Sequence, residues 1–530
     1  MAGIAFHRAL LLKADHPEAH NNLGDALRKR GHLNDAVASC RRALQLKPDY
    51  PEAHNNLGNA LKDLGQFDES IVAFHRALEL RPVFPEAHNN LGTALKDQGQ
   101  LDEAIASYRR AIQMKPDYAE AHSNLVFTLH FHPSLDERTI STEHERWNRQ
   151  FSAPMKQFIL PHANDRSPER LLRIGYVSPD FRDHVVGRSI LPVLERHDRD
   201  RFEILCYSGV LRPDFMTERF RSLSAQWRNT VGVSDLEVTE MIRQDAVDIL
   251  VDLTQHTALN RLPVFARKPA PVQVSFAGYP ESAGVDAIEY RISDQYLEGA
   301  SADHGAGRNE QVCLIDSFYC YDPCGMNVEV NTLPAVESGT VTFGCLNNFC
   351  KVNERVLNLW AMLLRQIKNS RLVLSSHHGK HRDLAMEALR RNGVAAGQVE
   401  FVDYRPRREY LELYHRLDIA LDTFPYNGGV TTCEALWMGI PVVSLVGKNP
   451  VSRAGLSLLT NVGLPETIAH SEMDYVNIAA ELAKNLPALA RVRSTLRNRM
   501  ESSVIMDTHR FTQQVEEAYR GMWEAWRTQS

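Results

Sequence analysis

The sequence predicts an α-helical repeat superhelix followed by an α/β region of two doubly wound, Rossmann-like domains. Three observations carry this reading. The first quarter of the chain repeats itself every 34 residues, the chain beyond residue 170 alternates short apolar runs with helix-length segments, and a stretch rich in Asn, Pro, Glu and Ser interrupts that alternation at 326–339. With 530 residues the chain can form three or four domains of about 150 residues each, and 43% hydrophobic content supplies their cores. Sixty Lys and Arg against 66 Asp and Glu give a net charge of −6, which disfavours nucleic acid or an anionic membrane as the main partner. Any anionic ligand must then be held locally. Eight scattered cysteines, of which Cys320 and Cys324 are the closest pair, fit neither a disulfide framework nor a zinc site. No signal-like N-terminus and no apolar run near the ~20 residues of a membrane helix is evident, so a cytoplasmic protein is expected.

The repeats come first. "AHNNLGDALRKRGHLNDA" from 19, "AHNNLGNALKDLGQFDES" from 53, "AHNNLGTALKDQGQLDEA" from 87 and "AHSNLVFTLHFHPSLDER" from 121 are spaced by 34 residues. Leu-Gly in a first helix, "RAL" or "RAI" in a second, and a closing proline at 48, 82 and 116 make the tetratricopeptide signature, here assigned to residues 1–122. "AFHRAL" at 5–10 matches "AFHRAL" at 73–78, so the chain begins inside a second helix and the array is expected to extend upstream. First helices line the inner face of such a superhelix. There Asn22, Asn56, Asn90 and Asn124 recur at one position, whereas the preceding Asn becomes Ser123 in the last copy. Asparagine is a mediocre helix former, and a row of amides can grip an extended peptide backbone without reading its side chains. The alternative is inherited repeat sequence on a solvated face.

A helical connector, 123–169, leads into the first α/β half, 170–325. Its strand candidates are "LLRIGYVS" (171–178), "FEILCYSG" (202–209), "VDILVDLT" (247–254), "VQVSFAGYP" (272–280), "YRISD" (290–294) and "QVCLI" (311–315). After the linker, the second half, 340–505, offers "TVTFGCL" (340–346), "RLVLSS" (371–376), "VEFVDY" (399–404), "IALDTF" (419–424) and "PVVSLVG" (441–447), with a last helix over 506–530. Such sheets bind ligands beyond the carboxyl ends of their strands. His184, His256 and the loop from Gly278 through Tyr279 and Pro280 follow strands of the first half. In the second, "NNFCK" with Lys351, "HHGKHRD" and "RPRREY" bring basic residues to three strand ends, and "NGGVTTCEALWMGIPVV" (427–443) brings glycines before a helix to the fourth. A diphosphate held by Lys351 and the N–H groups from Gly428 to Thr432, with Glu434 accepting from ribose hydroxyls, accounts for that convergence.

These motifs, "LRIGYVSPDFRDH", "DILVDLTQHT", "PAPVQVSFAGYPESAG", "CLNNFCKVN" and "LDTFPYNGGVTTCEALWMGIPVV", behind a tetratricopeptide array, resemble the protein O-linked N-acetylglucosamine transferases, bacterial members most of all. The resemblance covers nearly the whole chain. It implies a GT-B catalytic region with the nucleotide sugar mainly on the second half and an acceptor polypeptide guided by the superhelix. Lys351 would contact the diphosphate with Asn348 beside it; Thr431, Thr432 and Glu434 would hold phosphate and ribose; His184 would lie near the sugar and acceptor hydroxyl, with His256 a second catalytic candidate. The family's base-flanking lysine and histidine correspond to Arg407 and Tyr410, its phosphate-loop histidine to Gly429, and the long insertion of animal members to the short linker. The same segments are similar to Spindly-type O-fucosyltransferases, which use GDP-fucose. The expected activity is inverting, metal-independent transfer of N-acetylglucosamine from UDP-GlcNAc to Ser or Thr, with no cofactor; the sequence leaves open whether the repeats also form a homodimer. Transfer of fucose, a decayed scaffold and a small-molecule transferase or epimerase are the alternatives.

Overall fold

A computed structural model describes residues 15–299 and 310–529. The stretch 5–10, read above as part of a second helix, lies outside them. Antiparallel helix pairs Pro17–Lys29 with Leu33–Leu46, Pro51–Asp63 with Phe67–Leu80, and Pro85–Asp97 with Leu101–Met114 form the array. Proline stands at the first helical position of each first helix, where no N–H is needed. The Leu-Gly glycine has a packing reason. A Cβ at Gly58 would come within 2.6 Å of the Phe74 ring, and at Gly92 within 2.7 Å of the Tyr108 ring. A fourth first helix, Ala119–Leu129, pairs with the connector helix Glu137–Trp147, after which a π-turn and a 3-10 turn lead away.

The first half is a seven-stranded, fully parallel sheet in the order β3-β2-β1-β4-β5-β6-β7. Its strands are β1 Leu172–Ser178, β2 Phe202–Ser208, β3 Gln226–Asn229, β4 Ile249–Asp252, β5 Val272–Ser275, β6 Tyr290–Asp294 and β7 Gln311–Ile315. The second is a six-stranded parallel sheet in the order β10-β9-β8-β11-β12-β13. It comprises β8 Val341–Cys345, β9 Ser370–Ser375, β10 Val399–Val402, β11 Ile419–Leu421, β12 Val442–Leu445 and β13 Ile468–Ala469. Both orders reverse direction between the first and fourth strands, β1 and β4 in one sheet and β8 and β11 in the other. That switch point is where an open parallel sheet leaves a crevice.

The terminal helix Thr508–Arg527 does not stay with the second half. Phe511, Val515, Tyr519 and Trp523 pack into the core of the first, beside Tyr176, Leu194 and Phe202. The array is held by both halves. Arg212 of the first half lies 3.5 Å from Asp63, and the Lys380 N–H of the second donates to Asp68 at 2.9 Å. Among the described residues no helix is long and apolar enough to cross a membrane.

Candidate active site

The two switch points face one another across a cavity of about 730 Å³, to which the array also contributes lining. From the first half come Asp180, Arg182 and His184 after β1, Thr257 to Leu259 after β4, and Gly278, Tyr279 and Pro280 after β5. From the second come Asn347, Asn348 and Lys351 after β8, and Tyr426, Gly429, Val430 and Thr431 after β11. The array adds Thr93, Lys96, Asn124, Phe127 and Phe131.

Lys351 ends a single 3-10 turn, Phe349–Lys351, whose cap is Asn348: the Asn348 side-chain oxygen accepts from the Cys350 N–H at 3.1 Å. The ammonium donates to the Asn427 carbonyl at 2.7 Å and stands 4.2 Å from the Tyr426 ring centre. Loss of water around it lowers its pKa from the usual lysine value, with the Asp422 carboxylate pulling the other way. An added anion would favour the charged form of this lysine. Asp422 is the buried hub of this loop. It accepts from the N–H of Gly428 at 2.7 Å, the Ser444 hydroxyl at 2.6 Å and the Asn347 amide at 3.2 Å, while burial pushes its carboxyl up. Asn347 in turn accepts from the Thr431 hydroxyl, so one amide ties the lysine-bearing loop to the start of helix Val430–Trp437.

Three expectations for this loop change. The Gly428 N–H is committed to Asp422, and the Thr432 N–H closes on the Gly429 carbonyl at 3.0 Å. The donors left for an anion are therefore the N–H groups of Gly429, Val430 and Thr431, which line the cavity. The glycine at 428 serves closeness instead, since a Cβ there would meet Thr432 Oγ1 at 2.5 Å. Thr432 itself is buried away from the cavity. Glu434, expected to meet ribose hydroxyls, is 3% exposed and paired with Arg407 at 2.6 Å. Tyr410 lies in the same buried cluster, its hydroxyl 3.0 Å from that of Tyr414, which donates to the Thr431 carbonyl.

His184 sits at the N-cap of helix Val185–Arg196, 3.4 Å from Asp180. Its Nδ1 accepts from the Val186 N–H at 3.3 Å, and burial lowers its pKa, so the neutral ring carries its proton on Nε2. His184 thus enters the cleft as a hydrogen-bond donor. Below it, Gln255, at φ 51°, fixes the loop after β5: its side-chain oxygen accepts from the Tyr279 N–H at 2.7 Å. Gly278 is required there, because a Cβ would lie 2.6 Å from that oxygen.

His256 is not at the reaction centre. It is fully buried, with Nε2 donating to the Ala283 carbonyl at 2.8 Å and Nδ1 accepting from the Ser123 hydroxyl at 3.1 Å. Trp147 donates to the same Ser123 oxygen at 3.1 Å. This relay docks the last repeat on the first half, and it explains why Ser replaces Asn at 123. The asparagines of the array likewise bond each other. Asn56 donates to Asn21, Asn90 to Asn55 and Asn124 to Asn89, each at 2.9 Å, so the recurring Asn of one repeat satisfies the buried Asn of the one before. Each spends a side-chain N–H on that bond, and Asn124 alone of the four lines the cavity. The sequence reading missed Asn347, Asp422, Tyr426 and the aromatic pair Phe127 and Phe131; the doubled Asn of "NNFCK" and the Asp of "LDTF" were the available signals.

Two Rossmann-like sheets opposed across a cleft, with a tetratricopeptide superhelix laid over it, define the class of this protein. The chain belongs to glycosyl transferase family 41, whose pattern matches residues 137–320 and 323–515; residues 24–65 and 55–119 match tetratricopeptide repeats. A Petunia hybrida protein named as a probable UDP-N-acetylglucosamine–peptide N-acetylglucosaminyltransferase SPINDLY is 38% identical over 388 residues, 72% of this chain and 41% of the relative. An Arabidopsis thaliana protein named as a probable UDP-N-acetylglucosamine–peptide N-acetylglucosaminyltransferase SEC is 29% identical over 364 residues, 66% of this chain and 37% of the relative. The chain thus spans about two fifths of the length of the curated relatives it matches. A solved structure, a mutant O-GlcNAc transferase of Thermobaculum terrenum, is 36% identical, with a TM-score of 0.90 over 96% of this chain and 98% of that one.

Proposed function

We propose that this chain is a cytoplasmic, inverting protein O-glycosyltransferase that moves N-acetylglucosamine from UDP-GlcNAc to Ser or Thr of polypeptides lying along the repeat array. The observation that carries this reading is the convergence of the Lys351 ammonium and the first N–H groups of helix Val430–Trp437 on a cleft that the repeat array helps to line. Attack of the acceptor oxygen on the anomeric carbon forms one C–O bond as the bond to the diphosphate breaks on the opposite face. The hydroxyl proton passes to solvent, and the leaving charge meets Lys351 and the helix N-terminus. Fixed positive groups in a confined cleft do this without reorganisation, which is why no divalent cation is needed. His184, with its proton on Nε2, supports the sugar or acceptor oxygen rather than removing a proton.

Lys351→Ala should retain its melting temperature and lose about 2–4 kcal/mol of transition-state stabilisation, about thirtyfold to a thousandfold in kcat/KM. Turnover within a few-fold of wild type would remove Lys351 from the site. Titration of the nucleoside diphosphate in excess chelator should show unchanged affinity, and a large drop there would reveal a required metal.

Arg407 and Tyr410 stand where the resembled family carries its base-flanking lysine and histidine, and this departure favours a second donor, GDP-fucose. A thermal-shift panel of UDP, GDP and their sugars separates the two readings, since a ligand at 100 times its dissociation constant stabilises by about 2.7 kcal/mol.

A further inference from the structure

The turn that carries Lys351 is bounded on one side by its own sheet and on the other by the repeat array. Phe131, just past the last repeat helix, packs with Cys350 and Leu101 in one buried cluster. Its ring lies stacked on that of Tyr426, with centres 4.7 Å apart and planes 17° apart. Tyr426 is the ring over which the Lys351 ammonium stands at 4.2 Å. Phe127 completes the wall, 5.0 Å from Phe131 and 5.2 Å from Tyr279 of the first half. Phe131 therefore touches both the residue before Lys351 in the chain and the ring beneath its charge.

We infer that Phe131 is a positioning residue for Lys351, so that the diphosphate site is completed by the repeat array and is not a property of the two α/β halves alone. A flexible four-carbon side chain keeps a fixed direction only where its surroundings restrict it. Here two contacts do so: the Asn427 carbonyl that accepts from it and the Tyr426 face below it. The carbonyl belongs to the second half, but the face is held flat by Phe131 from the array. Without that stack the Tyr426 ring gains freedom, the wall opens to water, and the ammonium loses the geometry in which an anion meets it. A superhelix that guides acceptors would in this way also set the donor site, and an acceptor that shifts the last repeat would be felt at the leaving group.

This inference rests on the reading of Lys351 as the diphosphate contact, and the test separates the two. Nucleoside diphosphate affinity is measured by calorimetry, with UDP and GDP as probes, for Lys351→Ala, Phe131→Ala, Phe131→Tyr and Phe74→Leu. Phe74 is buried in the array core away from the turn and reports general loosening of the repeats. Lys351→Ala and Phe131→Ala should each weaken binding about tenfold or more, Phe131→Tyr should return to within about twofold of wild type, and Phe74→Leu should leave affinity unchanged. A double variant of Phe131→Ala with Lys351→Ala should bind no worse than Lys351→Ala alone, because the first acts through the second. Wild-type affinity for Lys351→Ala would overturn the reading of the site and this inference with it. A loss for Lys351→Ala with none for Phe131→Ala, an equal loss for Phe74→Leu, or additive losses in the double variant would overturn the inference alone. Should Phe131→Ala fail to fold, Phe131→Leu, which keeps apolar bulk but removes the ring stack on Tyr426, takes its place with the same expectations against Lys351→Ala.

Discussion

At the scale of single residues, the chemistry of the cleft is set by which nitrogen or oxygen is already committed elsewhere. His184 shows this most clearly, because its two ring nitrogens have separate tasks: Nδ1 caps helix Val185–Arg196 and Nε2–H is left for a ligand. Asparagine places its side-chain oxygen near the position of Nδ1, whereas glutamine places its amide nitrogen near that of Nε2. His184→Asn should therefore keep the cap and the melting temperature, yet lose transfer by about tenfold or more, as for a hydrogen bond worth roughly 1.5–3 kcal/mol to a charged or polarised group. His184→Gln should lose about 1 kcal/mol of stability with the cap and keep more of the activity. Thermal melts and initial rates on one peptide acceptor read both. Equal activity in the two variants would mean that the ring, and not the Nε2 donor, is what the cleft uses.

At the scale of elements, much was legible because strand ends and repeat periods are sequence-local properties. Lys351, His184 and the loop at Gly278 were found as the residues following apolar runs, and all reach the cavity. His256 was placed there by the same rule and failed it: its strand ends where the last repeat docks, and docking depends on a contact with Ser123, 133 residues away in sequence. Glu434 failed for a like reason, since its partner Arg407 comes from a different helix. The strands missed, β3 and β13, are edge strands of four and two residues, and the polar "QWRN" carries no apolar run to read. The repeat asparagines were legible as a pattern but not as a structure. Because Asn90 satisfies the Asn55 side-chain oxygen, Asn90→Ala should leave that buried acceptor unpaired and destabilise the array by about 1–3 kcal/mol in urea unfolding. Asn22, exposed in the first described repeat and donating to no earlier copy among the described residues, should tolerate Ala with a loss below about 0.5 kcal/mol. Equal, negligible losses at both positions would show that the ladder contributes nothing to the fold.

At the scale of the whole molecule, the chain is closed on itself by a segment whose sequence announces a helix but not its destination. Helix Thr508–Arg527 follows the second half and completes the core of the first, where Glu516 accepts from His197 Nδ1 at 2.9 Å while the Tyr176 hydroxyl lies 2.8 Å from Nε2. With Nδ1–H donating and Nε2 accepting, the ring is neutral, and burial lowers its pKa against the pull of Glu516. The sign for stability follows. In the unfolded chain histidine takes a proton near pH 6.5, whereas in the fold it resists one. Below that pH the unfolded state binds more protons than the native state, so stability falls as pH falls, by up to about 1.4 kcal/mol per pH unit from this group until its folded pKa is reached. Above about pH 7 the term vanishes. Because this histidine joins the terminal helix to the first half, the loss should appear in calorimetry as a downward shift of the transition that includes that half. Trp523→Ala should move the same transition at every pH, by the 3–5 kcal/mol of a buried tryptophan, because Trp523 is 1% exposed in that core. A variant lacking the His197 proton site, His197→Gln, should flatten the dependence between pH 6.5 and 5 relative to wild type even if it is less stable throughout. If its melting temperature instead falls with pH as steeply as that of the wild type, the buried histidine is not what couples the closing helix to acidity.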